Sequence, residues 1–127
     1  MMNDTICAIS SASGNGAIAL IRLSGNEAYA IISKIFKSKK KTFNLSQEKG
    51  QTVHFGKIMD GDTIVDEVLV SIFKAPNTFT GEDIVEISCH GSIYIQQKIL
   101  QLLIKHGARL AQHGEFTQRA YLNGKMD

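Results

Sequence analysis

Hydrophobic positions along this chain fall into short runs with two periods, and the switches between them predict the elements. Residues 5–9 and 17–23 are strand-length runs rich in Ile and Leu, and Ser24-Gly25 closes the second. The small residues 10–16 between them read as a loop. Residues 26–36 change to helical spacing, with Ala28, Ile31, Ile32 and Ile35 on one face and Asn26 at the cap. Lys37-Ser38-Lys39-Lys40-Lys41 follows and suits the negative end of that helix. Residues 42–50 are polar and read as a mobile loop. Runs at 53–59 and 64–73 flank Asp60-Gly61, a hairpin signal.

Pro76-Asn77 and Thr80-Gly81-Glu82-Asp83 then delay the chain before a short β-branched run at 84–89, which reads as a buried strand closed by Gly91. Ser92 caps a second helix with Ile95, Ile99, Leu102 and Leu103 inward, ending at His106-Gly107. Residues 108–111 make a short strand and 115–122 a third helix, closed by Asn123-Gly124. Hairpins mixed with helices predict an α+β fold: a two-layer sandwich with a mixed, mostly antiparallel sheet and helices packed on one face.

Composition narrows the picture only a little. A chain of 127 residues suits a single domain spanning 1–127, and 43% hydrophobic with 20% charged residues excludes global disorder. The formal net charge of +2 does not demand a nucleic-acid or membrane partner. No apolar run reaches membrane-span length, and Met1-Met2-Asn3-Asp4 lacks the basic start and apolar core of a signal peptide, so a cytoplasmic protein is expected. Cys7 and Cys89 both lie in strand-like runs and read as reduced core thiols. Gly124-Lys125-Met126-Asp127 stops without a closing element, which fits either a natural end or a domain cut from something longer.

Two charges stand out. Alternation along 84–89 puts Val85, Ile87 and Cys89 on one face and Ile84, Glu86, Ser88 and His90 on the other. A carboxylate inside such a strand is costly unless it is paired or meets donors. Arg22 sits likewise in 17–23, sharing a face with Ile18 and Leu20. Two readings stay open: an internal ion pair between adjacent strands, or a pocket whose polar groups await a ligand. Other features are weaker. Ser13-Gly14-Asn15-Gly16 lacks the Gly-Lys-Ser/Thr ending of a phosphate loop and reads as a flexible turn. Glu115 and Arg119, at i,i+4 spacing, read as a solvated salt bridge on a terminal helix. The histidines His54, His90, His106 and His113 show no metal-ligand spacing, and no Ser/His/Asp or Cys/His order can be argued. The lysines at 37–41 read as a solvated face, with RNA docking as the alternative.

Four stretches taken in order resemble one family: Ile21-Arg22-Leu23-Ser24-Gly25; Ala75-Pro76-Asn77-Thr78-Phe79-Thr80-Gly81-Glu82-Asp83 with Ile84-Val85-Glu86; Cys89-His90-Gly91; and Gly107-Ala108-Arg109-Leu110-Ala111 leading to Gly114-Glu115-Phe116-Thr117 and Arg119-Ala120-Tyr121-Leu122-Asn123. They look like the amino-terminal domain of the MnmE/TrmE family of tRNA modification GTPases. The resemblance implies a domain similar to the tetrahydrofolate-binding domains of one-carbon enzymes. It implies binding of 5-formyl- or 5,10-methylene-tetrahydrofolate, with Arg22, Glu86 and Lys125 as folate contacts, and a constitutive homodimer. It further implies that this domain is not itself catalytic. GTP hydrolysis, with Mg and K, belongs to a GTPase domain absent from this chain. The whole protein works with the flavin-containing partner MnmG (GidA) on the C5 position of the wobble uridine of tRNA. A purely structural dimerisation module, with Arg22 and Glu86 as an internal ion pair, is the alternative. His113 stands where the family often has Pro, Gln118 where a charged residue is common, and the 13–16 loop carries less glycine.

Overall fold

The runs of period two pair into one sheet. The computed structural model describes residues 4–11, 14–40 and 50–125. Its strands are β1 (Ile6–Ile9), β2 (Ile18–Ser24), β3 (Phe36–Ser38), β4 (Thr52–Asp60), β5 (Thr63–Phe73), β6 (Ile84–His90) and β7 (Arg109–Leu110). The helices are α1 (Ala28–Ser33), α2 (Ile93–Lys105) and α3 (Glu115–Leu122). The strand order is β3-β4-β5-β6-β2-β1-β7, antiparallel throughout except between β1 and β7. This is the α+β sandwich that the pattern predicts.

Alternation decides the faces. Ala19, Ile21 and Leu23 of β2, Val68, Val70 and Ile72 of β5, and Val85, Ile87 and Cys89 of β6 form one cluster with Ala28, Ile31 and Ile32 of α1 and Ile99, Leu102 and Leu103 of α2. Cys7 joins it, and both thiols are free. Burial pushes each thiol up to about 11. Ile87 lies at the centre, fully buried; truncating such a residue to Ala costs about 2–5 kcal/mol. The other face is different. Ile18, Val53, Phe55 and Leu69 are exposed there, while Arg22 and Glu86 stand nearer the end of the strands that α3 approaches.

Glycine makes one junction possible. Gly91 N donates to Ala17 O at 3.2 Å, and Gly16 N to Gly91 O at 3.1 Å. A Cβ on Gly91 would meet Gly16 O at 2.0 Å, so any side chain there forces β2 and the start of α2 apart. Ser92 caps α2 as expected, its Oγ accepting from Ile95 N at 3.3 Å.

Three expectations are corrected. The first helix spans only Ala28–Ser33, and Asn26 does not cap it: Glu27 is the cap residue, with no side-chain cap bond. Beyond Ile35 the chain is captured by β4, with Met59 N donating to Ile35 O and Lys39 N to Phe55 O. Residues 36–38 therefore become an edge strand, and Lys37 and Lys39 belong to that edge rather than to a helix end. The 14–16 turn is docked rather than flexible. Asn15 Oδ1 accepts from Ile93 N at 3.0 Å, and Gln96 Nε2 donates to Gly14 O at 3.1 Å. The third correction, the environment of Arg119, belongs to the site below. Ser13, Lys41, the rest of the polar loop through 49, and the last two residues lie outside the described residues. Among the described residues no helix is long and apolar enough to cross a membrane.

Candidate functional site

The β2–β6 ladder sets Arg22 directly opposite Glu86. The two charges complete one another: Arg22 Nε donates to Glu86 Oε2 at 2.9 Å, and Nη2 reaches the same oxygen at 2.8 Å. Both bonds converge on Oε2, so Oε1 keeps no partner among the described residues. Their side chains remain 23% and 20% exposed. Solvent, or a ligand, reaches this pair.

Two aromatic rings stand beside the guanidinium. The Phe79 centroid lies 5.6 Å from Arg22 Cζ and the Phe116 centroid 5.7 Å from it, close enough for cation–π attraction to both rings. Phe79 comes from the loop before β6, and Phe116 from the first turn of α3. Neither ring signals a site by its own sequence context; each merely stands inside a quoted motif.

The third candidate, Lys125, arrives at the same loop. Lys125 N donates to Ala120 O at 2.8 Å, ending α3. A Cβ on Gly81 would stand 3.4 Å from Lys125 Cε and 2.9 Å from Asn123 Cβ, so glycine there lets the end of α3 lie against residues 80–82. Lys125 is exposed and makes no ion pair among the described residues. The structure thus joins Arg22 to Glu86 directly and brings Lys125 to the loop that carries Phe79.

Beneath this corner lies an ionic chain. Arg119 is 2% exposed, not a member of a solvated pair. Its Nη1 donates to Glu82 Oε1 at 3.2 Å and Oε2 at 3.1 Å, with Glu115 farther off at 3.6 Å. The i,i+4 spacing is real, but Glu82, distant in sequence, is its nearer acceptor, and the loop and strand packed over it exclude water. Glu82 Oε1 also accepts the Ser24 hydroxyl at 2.8 Å, and Ser24 Oγ lies 2.8 Å from Thr80 Oγ1. Asn123 Nδ2 donates to Thr80 O at 2.8 Å. On the outer side Arg109 grips Glu115 with two nitrogens, at 3.0 and 2.6 Å, and Asp4 with its Nε at 3.0 Å. Those bonds, Arg109 foremost, hold the Glu115 carboxyl down at about 2.

Away from this corner, buried Asp66 accepts from His90 N at 2.8 Å and lies 2.7 Å from His90 Nδ1. The ring is thereby oriented outward beside a shallow cleft of about 180 Å³ that Ile18, Phe55, Leu69 and Ser88 help to line. Among the described residues no group of His, Cys, Asp and Glu could hold a metal ion.

Comparison with known proteins identifies the family. The family described as GTP-binding protein TrmE N-terminus matches residues 5–125. The chain is 58% identical over its full length to the tRNA modification GTPase MnmE of Bacteroides thetaiotaomicron, covering 27% of that protein. It is 54% identical over 126 residues to the MnmE of Christiangramia forsetii, with 99% of this chain and 26% of the relative covered. For Porphyromonas gingivalis the identity is 52% over 124 residues, covering 98% and 26%. The chain spans about a quarter of the length of these curated relatives. The match runs unbroken across the stretches that build the Arg22–Glu86 corner and its ionic support, and the chain belongs to the family of TrmE amino-terminal domains.

Proposed function

We propose that this domain binds a reduced folate carrying a one-carbon unit, 5-formyl- or 5,10-methylene-tetrahydrofolate, at the corner of Arg22, Glu86 and Lys125. The observation that carries this reading is the spare acceptor: Glu86 is fixed and charge-balanced through Oε2, yet among the described residues Oε1 has no partner, on a face that solvent reaches. A pterin offers an exocyclic amino group and a ring N–H side by side, the donors a fixed carboxylate accepts well. Phe79 and Phe116 hold Arg22 in place behind it. Lys125 supplies a mobile cation at the rim, suited to a formyl oxygen or to the glutamate tail. The bound folate supplies the one-carbon unit; the protein binds, orients and excludes water.

The wider role extends the family resemblance; the names of the relatives support only its tRNA-modification and GTPase parts. In the longer protein, this domain homodimerises and delivers the one-carbon unit for C5 modification of the wobble uridine of tRNA. A GTPase domain using GTP, Mg and K, and the flavin-dependent MnmG partner, act with it in the cytoplasm; the domain itself is not the hydrolase. The exposed Ile18, Val53, Phe55 and Leu69 supply an apolar surface that a second copy can cover. Calorimetry with 5-formyltetrahydrofolate tests the site: the wild type is expected to bind at micromolar Kd or tighter, and Glu86→Ala to lose about 2–5 kcal/mol. Equal affinity of the two would remove the role given to Glu86.

A second reading has its own observation, the direct Arg22–Glu86 contact at 2.8 Å. If that pair is only structural, no folate binds, and Glu86→Ala destabilises more than the Arg22→Ala/Glu86→Ala double variant, because the single change leaves a cation without its partner.

A further inference from the structure

We infer that Glu82 and Arg119 are positioning residues for the folate corner: their ion pair sets the spacing of the two aromatic rings that hold Arg22. This rests on the folate reading above. The argument runs through connectivity. Phe79 and Glu82 belong to one loop; Phe116 and Arg119 belong to α3, three residues apart and so neighbours along that helix. The bonds that tie the loop to the helix include Arg119 to both oxygens of Glu82 and Asn123 to Thr80 O. Glu82 also takes the hydroxyl of Ser24, which lies on β2 two residues beyond Arg22. Loop, helix and strand therefore meet at one carboxylate. If it is displaced, Phe79 and Phe116 are free to separate, and Arg22 loses the walls that hold it against Glu86 Oε2.

The chemistry of the pair fits a support rather than a contact. Arg119 is 2% exposed and out of reach of a ligand. Both Glu82 oxygens are already engaged within the fold. Glu82→Gln is the informative change, since it keeps the shape and removes the charge that holds Arg119. Ser24→Ala is the milder second variant, removing one bond to Glu82 and leaving the Arg119 pair.

The test is a double-variant cycle read by calorimetry with 5-formyltetrahydrofolate, with circular dichroism and thermal melts confirming that each chain is folded at the assay temperature. Glu82→Gln is expected to weaken binding by about tenfold or more, as loss of an outer-shell support does at other sites. In the Phe116→Ala background the same change should add little, because its effect travels through Phe116; independent effects would multiply. A merely structural role would lower the melting temperature without that coupling. If the wild type binds no folate, the folate reading and this inference fall together. If the wild type binds and Phe116→Ala weakens it while Glu82→Gln does not, or if the two losses multiply, the inference alone is overturned. Should Glu82→Gln not fold, the same cycle with Ser24→Ala decides, with a smaller coupled loss supporting the inference and no loss rejecting it.

Discussion

Two Arg–Glu pairs sit within one corner of this domain, and they are built differently. Arg22–Glu86 bridges neighbouring strands, is about one-fifth exposed, and leaves one carboxylate oxygen without a partner among the described residues. Arg119–Glu82 bridges a helix and a loop, buries its guanidinium at 2% exposure, and engages both carboxylate oxygens. Among the described residues the first leaves a whole oxygen open to a guest, whereas both oxygens of the second are engaged. A saturated buried pair holds geometry, because breaking it strands a charge out of water. A partly exposed pair with an open oxygen can change partners at modest cost, since water reaches whichever group is released.

The contrast is sharpened first by Arg119→Met. Removing the cation leaves Glu82 without its counter-charge, and a stability loss of about 3–5 kcal/mol is expected in denaturant titration. Glu86→Gln is the matching change in the other pair: its stability cost should be about 1 kcal/mol or less, while affinity for 5-formyltetrahydrofolate falls sharply. Equal stability losses in the two variants would erase the distinction between support and site.

A smaller effect concerns pH. Glu115 is held at about 2 against an ordinary 4.5 by Arg109 and its neighbours. A carboxyl depressed in the folded state contributes stability that is present above pH 4.5 and is lost as pH falls towards 2. Melting temperatures of the wild type should drop through that window, and Glu115→Gln, already lacking the contribution, should drop less. If both fall in parallel, the support is not electrostatic. The smallest effect is on the thiols. Cys7 and Cys89, pushed up to about 11 by burial, should react with an aromatic disulfide reagent at pH 8 only as fast as the chain unfolds. Rapid labelling of the folded protein would show the core to be looser than it is packed.

How much was legible beforehand differs by region. Every strand on the core face announced itself by alternation, because β2, β5 and β6 are buried on one side. The short edge strand β3 did not, for a physical reason: its lysines suit an exposed edge, and only the hydrogen bonds offered by β4 make it a strand. Arg22 and Glu86 were conspicuous as charges in apolar runs. From sequence Arg119 reads as solvated, since the i,i+4 spacing to Glu115 explains it locally and nothing nearby points to Glu82. Phe79 and Phe116 carry no signal as a pair; only folding brings residues so distant in the chain beside one guanidinium.

The sequence by itself determined the α+β layering, the two faces of the sheet, the positions of the unusual charges and, through the order of its motifs, the family. Periodicity and composition act over a few residues, so they are readable from a few residues. The tertiary structure alone decided that Arg22 clasps Glu86 through a single oxygen, that Glu82 rather than solvent receives Arg119, and that Lys125 ends beside Gly81. Each of those depends on contacts between segments far apart along the chain, where partner choice is settled by packing and by the cost of leaving a charge unpaired.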